Sequence, residues 1–244
     1  MTLVWWRQLY TRNAGVVDAW WSWNFGLLAV IWFFVGSGNF SQRLLLAVIV
    51  LWSLRLGLHL YIRNTSHAEE DRRYAQLRIR YGAQESWRMW RFFAFQALTN
   101  AVLALPVFLI ASNQHETVAF TSIAGVGVVV VSVLGEAIAD AQLKSFRRRA
   151  PGQVCRAGLW KYSRHPNYFF EWLCWVGFAL VAWDAPFGSW ALITPFIIGW
   201  LLIKVSGIPM LEALAIQSRG EAYRKYQQEV SAFIPWFPRK TSQF

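Results

Sequence analysis

Apolar residues are gathered into six long blocks, near 16–36, 43–62, 92–112, 117–138, 167–184 and 187–205, and most charges lie between them. A helix needs about 17–25 predominantly apolar residues to cross a hydrocarbon core, so this pattern predicts six transmembrane helices. The fifth block is short for a span, which places its start in a protein-lined cavity. The last two blocks are joined only by Asp184-Ala185-Pro186-Phe187-Gly188, a tight turn. The polar intervals carry helix punctuation of their own. Ser66-His67-Ala68-Glu69 fits a capping box, with Ser66 as N-cap, and Gly82 is the expected stop of the surface helix that follows. Beyond the last block, 208–232 reads as helix broken at Arg219-Gly220, then comes the aromatic, proline-bearing run Phe233 to Pro238. No internal repeat is visible. The expected fold is all-α, a polytopic membrane helical bundle of about six transmembrane helices in a single domain, 1–244.

Composition sharpens that reading. Of 244 residues, 56% are hydrophobic and 15% charged, where a soluble domain carries about 25% charged. Disorder, collagen, a disulfide scaffold and an ordinary cytosolic enzyme are excluded. The 16 Trp fit interfacial, lipid-facing positions, with Trp175 the expected exception. A net charge of +11 raises nucleic acid as a partner, but the distribution of charge argues against it. Two Lys/Arg fall in 1–15, seven in 63–91, seven in 139–166 and six in 204–244, while Arg43 alone lies on the other side and Arg55 within the second block. By the positive-inside rule both ends are cytoplasmic. Cys155 and Cys174 make no disulfide framework, and the N-terminal stretch has no signal-peptide pattern, so none is expected to be removed.

The chain has no GxGxxG after a strand, no Walker A loop, no HExxH and no GxSxG elbow, and its four histidines lack metal-ligand spacing, so no metal is expected. The densest chemistry lies in Gly158 to Tyr168, followed by Glu171 and Trp175. Pro166 suits a first helical turn, and Arg164 and His165 just before it favour an anion. Asn167, Glu171 and Trp175 recur at i, i+4, i+8 and share one helix face. A carboxylate such as Glu171 inside a membrane demands a polar partner or a ligand. The plainer reading is a helix cap plus an internal ion pair. Asp140, Lys144 and Arg147 share a face at the inner end of the fourth block, as a lipid-phosphate collar or as a site for a phosphorylated cofactor. The two clusters are separated by only a loop and suit the two ends of one ligand. Among the first spans lie Asp18, Arg55 and His59, where an Asp18–Arg55 structural pair competes with a catalytic role. Glu136, Asn24, Gln96 and Asn100 are further candidates for lining a cavity.

Gly158 to Trp175, with its Arg164-His165-Pro166-Asn167-Tyr168 core, resembles the C-terminal signature of the steroid 5-alpha-reductase family, in particular its bacterial branch, domain of unknown function 1295. A similar run marks the sterol C14-reductases. Glu212, Gly220 to Tyr226 and Phe233-Ile234-Pro235 fit as well, and a weaker likeness extends through Trp52 to Arg55 and Arg72-Arg73-Tyr74. The resemblance implies an NADPH-dependent oxidoreductase that passes hydride to a carbon–carbon double bond of a steroid-like or other lipidic enone. It divides the chain into substrate-side spans, 1–115, and a cofactor-binding region, 116–244. Asp140, Lys144 and Arg147 would hold adenosine and phosphate groups, and Arg164 would contact phosphate. Asn167, Glu171 and Trp175 would approach the ribose and nicotinamide, His165 and Tyr168 belong to the same cofactor-binding set, and Glu212 matches a shared acidic position. Asp18 falls near the family's catalytic glutamate, whereas Trp52 stands at the tyrosine position, leaving Arg55 or His59 as electrophile. Six spans stand where seven are typical. Expected partners are a hydrophobic small molecule and membrane lipids, in a bacterial inner membrane with the cofactor site facing the cytoplasm.

Two alternatives share features of this chain. Isoprenylcysteine and phospholipid methyltransferases, which use S-adenosylmethionine, carry a similar Arg-His-Pro and a late Gly-Glu-x-Tyr. They usually place Gly after the Tyr, where Phe169 stands here, and often adjacent glutamates where Glu212 stands alone. The third reading is a non-catalytic lipid-binding membrane protein.

Overall fold

The computed structural model describes residues 1–35, 38–66, 70–205 and 207–239, which form helices and connecting segments with no strand among them. Among the described residues five segments are long and apolar enough to cross a membrane: Val16–Val35, Phe40–Thr65, Arg72–Ser112, Phe120–Arg149 and Gly188–Arg219. The chain is an integral membrane protein on that evidence of length and composition. The predicted fifth block is a helix, Pro166–Ala182, but at 17 residues it does not stand among the five. Two compact units divide the chain, Met1–Ile123 with Leu180–Ala191, and Ala124–Ala179 with Leu192–Phe244.

The first unit begins with α1 (Thr2–Thr11), α2 (Val16–Val35) and α3 (Phe40–Thr65). α2 and α3 pack closely because small residues face each other. Ser22 and Ser53 each donate a hydroxyl to the other's carbonyl, at 3.1 and 2.8 Å, and the Gly26 N–H donates to Ser53 Oγ. A Cβ on Gly26 would stand 2.4 Å from that oxygen, so only glycine admits this approach. Trp52 is buried against Phe25 in the same seam. Asn39 caps α3 by accepting from the Gln42 N–H.

Ser66, expected as the N-cap of a capping box, instead ends a helix. α3 runs through Thr65, and the Ser66 N–H is satisfied by the Ile62 carbonyl, which makes Ser66 a C-cap. His67 and Glu69 lie outside the described residues. The next helix, α4 (Arg72–Tyr81), is capped instead by Asp71, which accepts from the Arg73 N–H, and it stops as expected at Gly82, with φ 51°. The third block is broken: α5 (Glu85–Leu103) and α6 (Leu105–Ser112) meet at Ala104, because Pro106 cannot supply the N–H a continuous helix needs.

The long helix α7 (Phe120–Arg149) carries a glycine-rich, β-branched stretch and ends in three arginines, which suit a helix C-terminus. In the second unit, α8 (Pro166–Ala182) follows the short turn Gly158–Lys161. That turn is pinned on α7, since the Leu159 N–H donates to Gln142 Oε1 and Trp160 Nε1 to the Ala139 carbonyl, both at 2.9 Å. The last apolar block starts as a 3-10 turn, continues as α9 (Ile193–Trp200) and widens to a π-turn at Leu201–Val205. α10 (Ile208–Arg219) and α11 (Glu221–Glu229) meet at Gly220, the predicted break. Residues 230–237 then run as a strap along 162–164. The Arg164 N–H donates to Ser231 O, Ser163 Oγ to Phe233 O, and the Trp236 N–H to Tyr162 O. Trp52 and Trp160 join Trp175 among the buried tryptophans, while Trp6, Trp20, Trp87, Trp190 and Trp200 are exposed as lipid-facing residues would be.

Candidate functional site

In the second unit several of the expected cofactor residues gather at the C-terminal end of α7 and the start of α8. Pro166 begins α8, so Arg164 and His165 precede it and Asn167 lies in its first turn. Asn167 Nδ2 donates to Asp140 Oδ1 at 3.2 Å, which joins the two clusters that the sequence presents 27 residues apart. One turn further along α8, Glu171 is buried and accepts from Trp175 Nε1 at 3.0 Å. That bond supplies a polar partner for a carboxylate buried in an apolar helix. Asp140 is half-buried, whereas Lys144 and Arg147 on the next turns of α7 are exposed.

Arg164, His165 and Glu212 form a second knot. Arg164 Nε pairs with Glu212 Oε1 at 2.6 Å, and His165 Nε2 lies 3.3 Å from the same oxygen. Gln227 Nε2 donates to Glu212 Oε2 at 2.8 Å, and Arg164 Nη1 donates to the Gln227 and Val230 carbonyls. The His165 ring stacks on Tyr168 with centroids 5.8 Å apart. A cavity of about 560 Å³ has Arg164 in its wall beside Gln227, Ser231, Trp236 and Arg239, a volume within the usual range for ligand pockets. Gln227 and the strap were not legible as site residues. Their signal is only the late Tyr226-Gln227 and Phe233-Ile234-Pro235 positions, which acquire meaning when α11 folds back on Arg164.

Burial raises the phenols of Tyr223 and Tyr226 above the ordinary tyrosine value, with Glu212 adding to the effect at Tyr223 and Tyr223 and Cys155 at Tyr226. Tyr226 therefore stays a donor, and its hydroxyl bonds the Trp160 carbonyl. Burial also raises the Cys155 thiol, although Arg147 and Arg149 oppose it, which leaves no activated thiolate at neutral pH.

In the first unit Asp18 does not take Arg55 as its partner. Its carboxylate receives Arg73 Nη2 at 2.8 Å and the Tyr74 hydroxyl at 2.6 Å, with Arg63 at 3.7 Å. The reason is topological: Arg55 lies eight residues before Arg63, the arginine of α3 that reaches Asp18, while α4 brings Arg73 and Tyr74 to the start of α2. Tyr74 is 3% exposed, packed among Ala14, Val17, Met89 and Phe93. It is the functional candidate that sequence reasoning missed, although Arg72-Arg73-Tyr74 was within the weaker likeness. Arg55 and His59 are half-buried one turn apart on α3 and are not joined to the Asp18 group by any of these contacts. Asn100 donates to the Trp21 carbonyl while its Oδ1 is buried without a partner.

Residues 4–230 match the family described as "Protein of unknown function (DUF1295)". An uncharacterized protein of Schizosaccharomyces pombe is 27% identical over 265 aligned positions, which take in 96% of this chain and 76% of the relative. No solved structure matches.

Proposed function

The chain belongs to the DUF1295 family, and from that premise we propose that it is an NADPH-dependent membrane reductase acting on a carbon–carbon double bond of a lipidic enone. The observation that carries the reading is the Asn167–Asp140 contact, which unites the basic end of α7 with the polar face of α8. A bound NADPH would supply hydride. The residues present fit such a cofactor by their chemistry. Exposed Lys144 and Arg147, together with Arg164 on its cavity, suit phosphate groups. Asn167, Asp140 and the buried Glu171–Trp175 pair offer the mixed donors and acceptors that ribose hydroxyls and a carboxamide require. Glu212 acts as a positioning residue, holding Arg164 and His165 at the start of α8.

Reduction of an enone places negative charge on the carbonyl oxygen, which needs a hydrogen-bond or proton donor. In this reading Tyr74 gives that proton by turning its hydroxyl from Asp18, the carboxylate it donates to in the structure, to the substrate oxygen, while Arg73 neutralises Asp18. Water then restores the phenol proton. Trp52, at the family's tyrosine position, is committed to the seam between α2 and α3. Arg55 and His59 are the second choice of electrophile.

The methyltransferase reading is disfavoured by Phe169 and Phe170. Phe169 packs on Trp172 and Phe233, and the Phe170 ring lies against Gly135, so the space a glycine would leave for a cofactor is filled. Six spans, counting α8, with both ends and the cofactor site on the cytoplasmic side complete the proposal. The test is binding of NADPH, NADH and S-adenosylmethionine to detergent-purified protein by calorimetry. Tight NADPH binding with weak NADH binding is expected, followed by enone-dependent loss of reduced nicotinamide absorbance. Binding of S-adenosylmethionine alone overturns the proposal.

A further inference from the structure

Two of the candidate spans, Phe120–Arg149 and Gly188–Arg219, end in arginine. The loop after the first returns to the end of the second, where Arg219 Nε donates to the Gln153 carbonyl at 3.1 Å. Between them lies a concave cavity of about 370 Å³, lined by Gly152, Gln153, Arg156, Arg219, Ala222 and Lys225. Three of these side chains are cations, and no carboxylate is among the described lining residues. Arg156 is balanced at one edge by Glu229, which leaves Arg219 and Lys225 as the surplus charge. None of these residues belongs to the cofactor set around Asp140, Asn167 and Glu171.

We propose that this cavity is a specific site for the phosphate headgroup of an anionic phospholipid. Arginine forks and a lysine ammonium suit a tetrahedral phosphate oxyanion, and free phosphate shares that chemistry. The place of the cavity in the chain decides between the sources: it lies by the C-terminal ends of two candidate spans, and cations that flank spans attract anionic lipid. A headgroup held there ties the ends of α7 and α10 to the bilayer surface. The inference stands apart from the reductase reading and does not depend on it.

The experiment is native mass spectrometry of the full-length protein in mild detergent, titrated with phosphatidylglycerol or phosphatidylcholine. Phosphatidylglycerol adducts are expected to exceed those of phosphatidylcholine. Lys225→Gln should weaken phosphatidylglycerol binding about fivefold, and Arg219→Gln with Lys225→Gln about 25-fold. The single variant keeps the test sound if loss of the Arg219–Gln153 bond unfolds the pair. Equal binding of the two lipids, or unchanged binding in Lys225→Gln, overturns the proposal. Displacement of phosphatidylglycerol by an equal concentration of inorganic phosphate reassigns the site to a free anion and overturns it too. NADPH affinity should be unchanged in Lys225→Gln, and its loss would make the cavity part of the cofactor site instead.

Discussion

Asn167 bonds Asp140 across a loop, and Glu171, one turn later, is buried and accepts from the Trp175 indole N–H. Removing Glu171 takes an acceptor from the buried Trp175 N–H, which costs roughly 1–3 kcal/mol, and removing Asn167 takes a donor from half-buried Asp140. Asn167→Ala and Glu171→Ala should each weaken NADPH binding at least several-fold by calorimetry, and unchanged affinity in both would sink the placement of the nicotinamide end. Tyr74→Phe tests the other half of the chemistry. It should lower turnover by about a hundredfold or more, the usual contribution of a general acid, with NADPH affinity intact. A parallel fall in affinity would make Tyr74 structural. At this scale the sequence was readable where spacing is local. The i, i+4, i+8 recurrence put Asn167, Glu171 and Trp175 on one face without any knowledge of the fold. Asp18 and Tyr74 are 56 residues apart, and only the return of α4 to α2 pairs them, so no periodicity announces the contact.

Elements were legible as apolar blocks, and less so in how they begin, break and end. The blocks at 16–36 and 43–62 became α2 and α3 with little change, because hydrophobicity over 20 residues outweighs local punctuation. Ser66 fails as an N-cap for the same reason: α3 runs three residues beyond its apolar block, to Thr65, and Ser66 becomes its C-cap. The break at Ala104 was hidden in uniformly apolar sequence, marked only by Pro106. Close helix approach suggests a direct test. Gly26→Val should separate α2 from α3, and overpacking of this kind costs about 1–3 kcal/mol, visible as a lower melting temperature in detergent. Asp71 gives a test in pH. Burial opposes its charge, but the hydrogen bonds and charge of Arg73, with help from Arg63, hold its pKa below the ordinary value. A depressed carboxylate stabilises the fold above its unfolded pKa, about 3.9, and loses that contribution as pH falls through the folded value. Asp71→Asn should therefore be less stable than the parent at pH 7, and the gap should close on acidification below about pH 4. A gap independent of pH would remove charge from the explanation.

For the whole molecule, the distribution of Lys and Arg predicts that both ends face the cytoplasm. Reporter fusions at residues 1 and 239 should both be active in the cytoplasm and silent across the membrane. Opposite signals would require an odd number of spans. The resemblance divided the chain at 115/116 by role, substrate-side spans against a cofactor-binding region, whereas packing groups residues by contact and returns Leu180–Ala191 to the first unit. A short apolar stretch says nothing about which neighbours it will join.

The knot on Arg164 also has an order in time. Its carboxylate partner Glu212 is translated 48 residues later and the Val230 carbonyl 66 residues later. At synthesis rates of about 5–20 residues per second, the guanidinium waits roughly 3–13 s for its last native acceptor. Helix formation takes on the order of microseconds, so α8 is built long before its doorway is. The second unit is thus finished from its downstream end backwards, and during those seconds a nascent chain offers insertion factors and chaperones a cation without its native partners at the mouth of a helix.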